Sequence, residues 1–149
     1  MSAPSSGAFE GREHVLPVRV YYEDTDLTGV VYHANYARYF ERGRSDFLRL
    51  AGVDHASLLD RSDPAAFAVT KMAIAFRAAA RIDDALEVRT RFETARGVRM
   101  LIAQRIVRAG EVLAEADVEV VCINPQGRVR RPPAELVTAL APWLAPASP

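Results

Sequence analysis

Asp24, Asp26, Gly29 and His33 stand close together in YYEDTDLTGVVYHANYARYFERGR, residues Tyr21 to Arg44. Two carboxylates one residue apart suggest three kinds of chemistry. The first is a calcium loop. Asp24, Asp26 and Gly29 match D-x-D-x-x-G, the opening of an EF-hand. Position twelve of that loop is Asn35, where a bidentate Glu is required, and the preceding residues read as a strand rather than a helix. The second is a plain turn between strand and helix, with the tyrosines as core. The third is catalytic. A carboxylate at a strand end, facing the free N–H groups and dipole of a helix start, can activate water or attack a carbonyl while the helix holds the oxyanion. That combination suits thioester hydrolysis. No G-x-S-x-G competes, and Ser45 falls mid-helix. On the residues alone, all three readings stay open.

The flanking segments say how such a stretch is positioned. LPVRVYYED alternates Val18, Val20 and Tyr22 against Arg19, Tyr21 and Glu23, a strand pattern. From Asn35, a candidate N-cap, the period becomes helical through Tyr36, Tyr39, Phe40, Gly43, Phe47 and Leu50. Gly52 is placed to end that helix. DHASLLDRSDPAA reads as a short helical turn and loop broken at Pro64. Four strands follow: AFAVTKMAIAFRAAA, with a bulge, then ALEVRTRFETA, VRMLIAQRIVR and EVLAEADVEVVCIN, with an Ala109-Gly110 hairpin before the last. A short helix opens at the prolines before Ala134. One long helix followed by strands on short links predicts an α+β fold, an antiparallel sheet wrapped on a central helix. Residues 1–13, rich in Ser, Gly, Ala and Pro, are expected to form a disordered tail, and 14–149 a single domain.

Composition narrows the classes. The chain has 149 residues with 19 basic and 19 acidic side chains, a balance that argues against a nucleic-acid partner. Cys122, the single cysteine, lies among Val120, Val121 and Ile123 and reads as a buried structural thiol. His14, His33 and His55 are scattered, so no zinc site is expected. No apolar run approaches the roughly 18 residues of a membrane span. The N-terminus has neither the basic start nor the apolar stretch of a secretory signal. A soluble cytoplasmic protein is the expectation.

The motif Y-x-D-T-D-x-x-G-V-V-Y-H-x-x-Y, followed by Y-F-E-R-x-R, resembles the hotdog-fold thioesterases of the 4-hydroxybenzoyl-CoA thioesterase type, most of all the Tol–Pal-associated (YbgC-type) acyl-CoA thioesterases. Weaker likeness continues through ARIDDALEV, QRIVR and VVCINPQGR, from about Pro17 to Pro132. The resemblance implies a hotdog fold and hydrolysis of short- to medium-chain or aryl acyl-CoA without metal or cofactor. It implies Asp26 as the catalytic carboxylate and the backbone N–H of His33 as the group polarising the thioester carbonyl, with Asp24 bracing the turn. Gly29, Tyr32, Tyr36 and Arg99 are the substrate-binding candidates. Tyr32 and Tyr36 line the acyl pocket or belong to the core, the core being the favoured of the two, and Arg99 is the candidate for a nucleotide-phosphate contact. Edge-to-edge homodimers or tetramers, and an acyl carrier protein or Tol–Pal partner, complete what the resemblance implies. The rival is a non-catalytic acyl-CoA or acyl-carrier-protein binding module of the same fold.

Overall fold

A computed structural model describes residues 2–146 of the chain. Seven strands form one antiparallel sheet: β1 (Ala8–Glu10), β2 (Glu13–Arg19), β3 (Ala66–Phe76), β4 (Ala85–Arg96), β5 (Arg99–Arg108), β6 (Glu111–Ile123) and β7 (Val129–Arg130). Their spatial order is β1-β2-β4-β5-β6-β3, with β7 paired to β6. The long helix α1 (His33–Leu50) lies against the inner face over β2, β4 and β5, and two short helices follow, α2 (His55–Asp60) and α3 (Ala134–Leu140). This is the α+β sheet-on-helix architecture that the alternation predicts.

Each strand alternates burial. In β4, Leu86, Val88, Thr90 and Phe92 face inward while Glu87 and Arg91 face out, so a one-residue slip would expose the whole inner row. The β5–β6 hairpin turns at Ala109 (φ 47°) and Gly110 (φ 83°), the paired positive φ values of a tight two-residue turn. The bulge expected in β3 falls between Val69 and Lys71. Gly52 (φ 97°) follows the last turn of α1, and its N–H bonds the Arg49 carbonyl at 3.1 Å. Cys122 is fully buried, and burial pushes its thiol up to about 11.

Two features depart from the sequence reading. The helix begins at His33, with Tyr32 as N-cap, not at Asn35. Asn35 instead sits in the first turn, where its Nδ2 donates to the Asp24 carbonyl at 2.8 Å. The segment expected to be a disordered tail forms β1, pairing Ala8 with Val15 and Phe9 with His14. Tertiary contacts override its flexible composition. The Phe9 ring stacks on Trp143 with centroids 3.8 Å apart and meets Phe47 edge-on at 4.9 Å. The Asp46 carboxylate, on α1, accepts bonds from Ser6 Oγ (2.6 Å), Gly7 N–H (2.8 Å) and His14 Nε2 (2.7 Å).

The seating of α1 matters most for the site, because its first turn carries the candidate donors. Gln104 of β5 is buried and donates from Nε2 to the Phe40 carbonyl (2.8 Å) and to Thr90 Oγ1 (2.9 Å). Its Oε1 accepts from Arg44 at 3.0 Å. A side-chain amide fully used in this way fixes helix depth and register on the sheet.

Candidate active site

The chain leaves β2 at Arg19 and is held there by the Val20–Asp84 and Asp83–Val20 backbone bonds (3.0 and 2.9 Å). Tyr22–Asp24 then form one 3-10 turn, closed by Asp24 Oδ2 accepting the Tyr21 N–H at 2.8 Å. A miniature hairpin follows. Thr25 bridges Val31, the Asp26 N–H bonds the Val30 carbonyl at 2.9 Å, and Gly29 N–H returns to the Asp26 carbonyl at 3.2 Å. Gly29 has φ 82°, so its role is to make this turn possible.

Asp26 stands at the head of that turn, exposed. Its Oδ1 accepts both Thr28 N–H (2.8 Å) and Thr28 Oγ1 (2.6 Å). The Thr28 hydroxyl, then its N–H, hold the carboxyl below the usual range, so it is ionised at neutral pH. Oδ2 has no hydrogen-bond partner among the described residues. Asp24 has the other role. Its carbonyl accepts Tyr32 N–H at 3.0 Å and Asn35 Nδ2, so it ties the loop to the helix start.

His33 and Ala34 are the first two residues of α1, where an α-helix has no acceptor for its own N–H groups. Neither of these N–H groups has a backbone partner among the described residues. The Tyr32 capping position supplies no side-chain acceptor either. The loop thus places an ionised carboxylate in the hairpin whose return strand leads straight into two free, dipole-polarised donors. The His33 ring is exposed between Tyr32 (centroids 4.5 Å) and Phe76 at the end of β3 (6.5 Å).

Asp26, Gly29, Tyr32 and His33 therefore share one loop and helix start. Tyr36 is a core residue instead: it is 3% exposed, and its hydroxyl accepts the Ala80 N–H at 3.0 Å. Arg99 is not brought to the site within one chain. It opens β5, whose other end, Arg108, bonds Asp84 and the Ala79 carbonyl beside the loop. Ten residues of strand separate the two ends by about 30 Å. Sequence reasoning missed Thr28, although an Asp followed two residues later by Thr is a recognisable Asx-type turn signal. It also missed Arg44 and Gln104, whose pairing spans helix and sheet and has no local signal.

A groove of about 530 Å³ runs along α1 from Ala37 to Leu48, between that helix, α2 and β3. Its floor is apolar, with Phe67, Met72, Phe92, Ile102 and Val120. Ala37, the first α1 residue that lines the groove, is about one helical turn along the chain from His33. Among the described residues, no group of three or more His, Cys, Asp or Glu is placed to hold a metal ion. The EF-hand reading also lacks its entering helix, since β2 and a 3-10 turn precede the loop.

A sheet wrapped on one helix, with a carboxylate loop feeding the helix start, is the arrangement of a chain whose residues 20–144 match the Thioesterase-like superfamily model. The chain belongs to that superfamily. It is 46% identical over 110 residues to the acyl-CoA thioester hydrolase YbgC of Escherichia coli O6:H1, covering 73% of this chain and 81% of that protein. It is 44% identical to the acyl-CoA thioesterase YbgC of Haemophilus influenzae, covering 73% and 79%. Among solved structures, a probable thioesterase from Bartonella henselae superposes with TM-score 0.79 at 41% identity, over 81% of this chain and 99% of that one. A 1,4-dihydroxy-2-naphthoyl-CoA thioesterase from Synechocystis gives TM-score 0.79 at 25% identity, over 87% and 96%.

Proposed function

We propose that the protein hydrolyses acyl-CoA thioesters to the free acid and CoA, with Asp26 as the reacting carboxylate. The observation that carries this is the pairing of an ionised Asp26, one oxygen held by Thr28 and the other free, with the unpartnered N–H groups of His33 and Ala34. The thioester carbonyl oxygen accepts from those N–H groups. Asp26 takes a proton from water as the water oxygen bonds the carbonyl carbon, or bonds that carbon itself to give a mixed anhydride that water then opens. The tetrahedral oxyanion collapses, the C–S bond breaks, and the CoA thiolate leaves and is protonated. The reaction as written uses only water and the substrate, so we infer that no cofactor is needed. The named relatives support an acyl-CoA substrate. No observation favours the non-catalytic binding module, since carboxylate, turn and donors are all present.

The assembly that fits this reading is an edge-to-edge homodimer, paired further in a tetramer. Strand β3 is a free edge of 11 residues, AFAVTKMAIAF, with Lys71 its one charge. A long apolar edge recruits another strand. Antiparallel pairing of β3 with its copy would bring the Ala66 end, and with it Arg99, toward the partner's Phe76 and His33. That removes the separation which excludes Arg99 in one chain and lets it bind a CoA phosphate across the interface. No helix among the described residues is long and apolar enough to cross a membrane, and a CoA substrate fits a cytoplasmic location. Thiol release from a panel of acyl-CoAs tests the reading, with an acyl carrier protein thioester as the second substrate source. Absence of release from every thioester would overturn it.

A further inference from the structure

Arg44 and Asp46 are the buried charged side chains of α1, and of the two only Asp46 has an ion-pair partner among the described residues. Arg44 is 8% exposed, yet its single hydrogen bond is to the neutral Gln104 Oε1. No carboxylate lies within ion-pair distance of it among the described residues. Burial depresses its proton affinity, which Glu41 only partly offsets. A guanidinium removed from water without a counter-ion is costly, and this one lines the groove beside α1. Glu41 lines the same groove one turn earlier, is exposed, and likewise has no ion pair among the described residues. On its own helix Arg44 is turned inward to Gln104 and Glu41 outward.

The opposite wall of the groove is the free edge strand. Val69 and Met72 line it, on either side of Lys71, the central residue of β3. If two β3 strands pair antiparallel about Lys71, their two-fold axis stands beside the groove that Glu41 and Arg44 also line. An isologous contact requires that if one residue meets another across the axis, the reverse contact also forms. Glu41 and Arg44 are separated by about 4.5 Å along the helix and present opposite charges to that groove. The face is electrostatically self-complementary.

We propose that the missing counter-ion of Arg44 is Glu41 of a second copy of this chain, so that two symmetric ion pairs close the groove at the dimer two-fold. This rests on the edge-to-edge dimer of the preceding section. The partner then completes one wall of the groove beside α1, and the chain needs its copy to neutralise a charge it has already buried.

Sedimentation equilibrium on the full chain measures the dimer Kd. Glu41→Gln and Glu41→Arg are exposed changes that leave the fold intact. The expected result is a Kd raised about tenfold or more by Glu41→Gln and about 10²–10³-fold by Glu41→Arg, with Glu41→Arg/Arg44→Glu returning to within about tenfold of wild type. A monomeric wild type would overturn the dimer and this pairing together. A dimeric wild type whose Kd is unmoved by either Glu41 variant would overturn the pairing alone. So would octanoate binding equally to wild type and Glu41→Arg but not to Arg44→Met, because the counter-ion would then be a ligand carboxylate.

Discussion

Asp46→Ala should loosen the whole N-terminal strand. The carboxylate accepts from Ser6, Gly7, His14 and, at 2.9 Å, Arg49. Its alanine replacement leaves His14, which is fully buried, with no hydrogen bond at either ring nitrogen, since Nδ1 already has none. Breaking a buried, hydrogen-bonded pair of this kind costs about 3–5 kcal/mol. For a chain of this size that corresponds to a Tm lowered by about 10 °C. Acid should reproduce part of the loss. Burial pushes the Asp46 carboxyl up, but Ser6, Gly7 and His14 outweigh it and the net shift is downward. Stability from Asp46 is therefore present at neutral pH and lost as pH falls through its lowered pKa. Burial also lowers the His14 pKa, against the opposing pull of Asp46. The unfolded chain therefore takes up that proton first, and stability declines as pH drops below about 6.5. Both signs agree. Urea unfolding at pH 7.5 and 5.5, with hydrogen exchange of the Ala8–Glu10 amides, reads the effect. Unprotected β1 amides in wild type, or an Asp46→Ala variant as stable as wild type, would refute the reasoning.

Thr28→Val removes the 2.6 Å bond to Asp26 Oδ1. The carboxyl pKa should rise, moving the acidic limb of the kcat/KM profile to higher pH, and an unmoved limb would show that Thr28 does not tune the carboxylate. Gly29→Ala, at φ 82°, places a side chain in left-handed backbone at about 1–2 kcal/mol. It should lower kcat by loosening the Asp26 turn while global unfolding changes little, as paired activity and denaturation curves would show. Arg99→Ala should raise KM with kcat nearly constant, since a distant phosphate contact is uniform binding. A collapsed kcat at unchanged KM would assign Arg99 elsewhere.

Local chemistry was legible in the sequence and long-range pairing was not. The strands of Ala85–Arg96 and Glu111–Ile123 announce themselves by alternation, and the Ala109-Gly110 turn by composition. The family likeness supplied Asp26 and His33, and the structure sets both in one loop and helix start. The N-cap falls three residues earlier than Asn35, which looks like a cap while its side chain serves Asp24 instead. β1 was missed because its order comes from Trp143 and Asp46, far along the chain. The burial of Tyr36 follows its place in the helical period, but the partner of its hydroxyl had no local mark, since Ala80 is distant in sequence. Arg99, which the family likeness offers as a phosphate contact, opens β5 at the end remote from the Asp26 loop, and no local pattern tells which subunit's site it faces.

The most direct test of the account compares Asp26→Asn with Asp24→Asn in thiol-release kinetics on the best acyl-CoA. Asparagine keeps the size of the side chain and can still accept from Thr28, but it takes no proton from water and is a poor nucleophile. The account predicts that Asp26→Asn lowers kcat and kcat/KM together by about 10²–10⁴-fold or more in a folded protein that still binds acyl-CoA. Asp24→Asn, whose main-chain carbonyl ties remain, should lose stability before turnover. An active Asp26→Asn beside a folded, inactive Asp24→Asn would contradict the assignment of the reacting carboxylate.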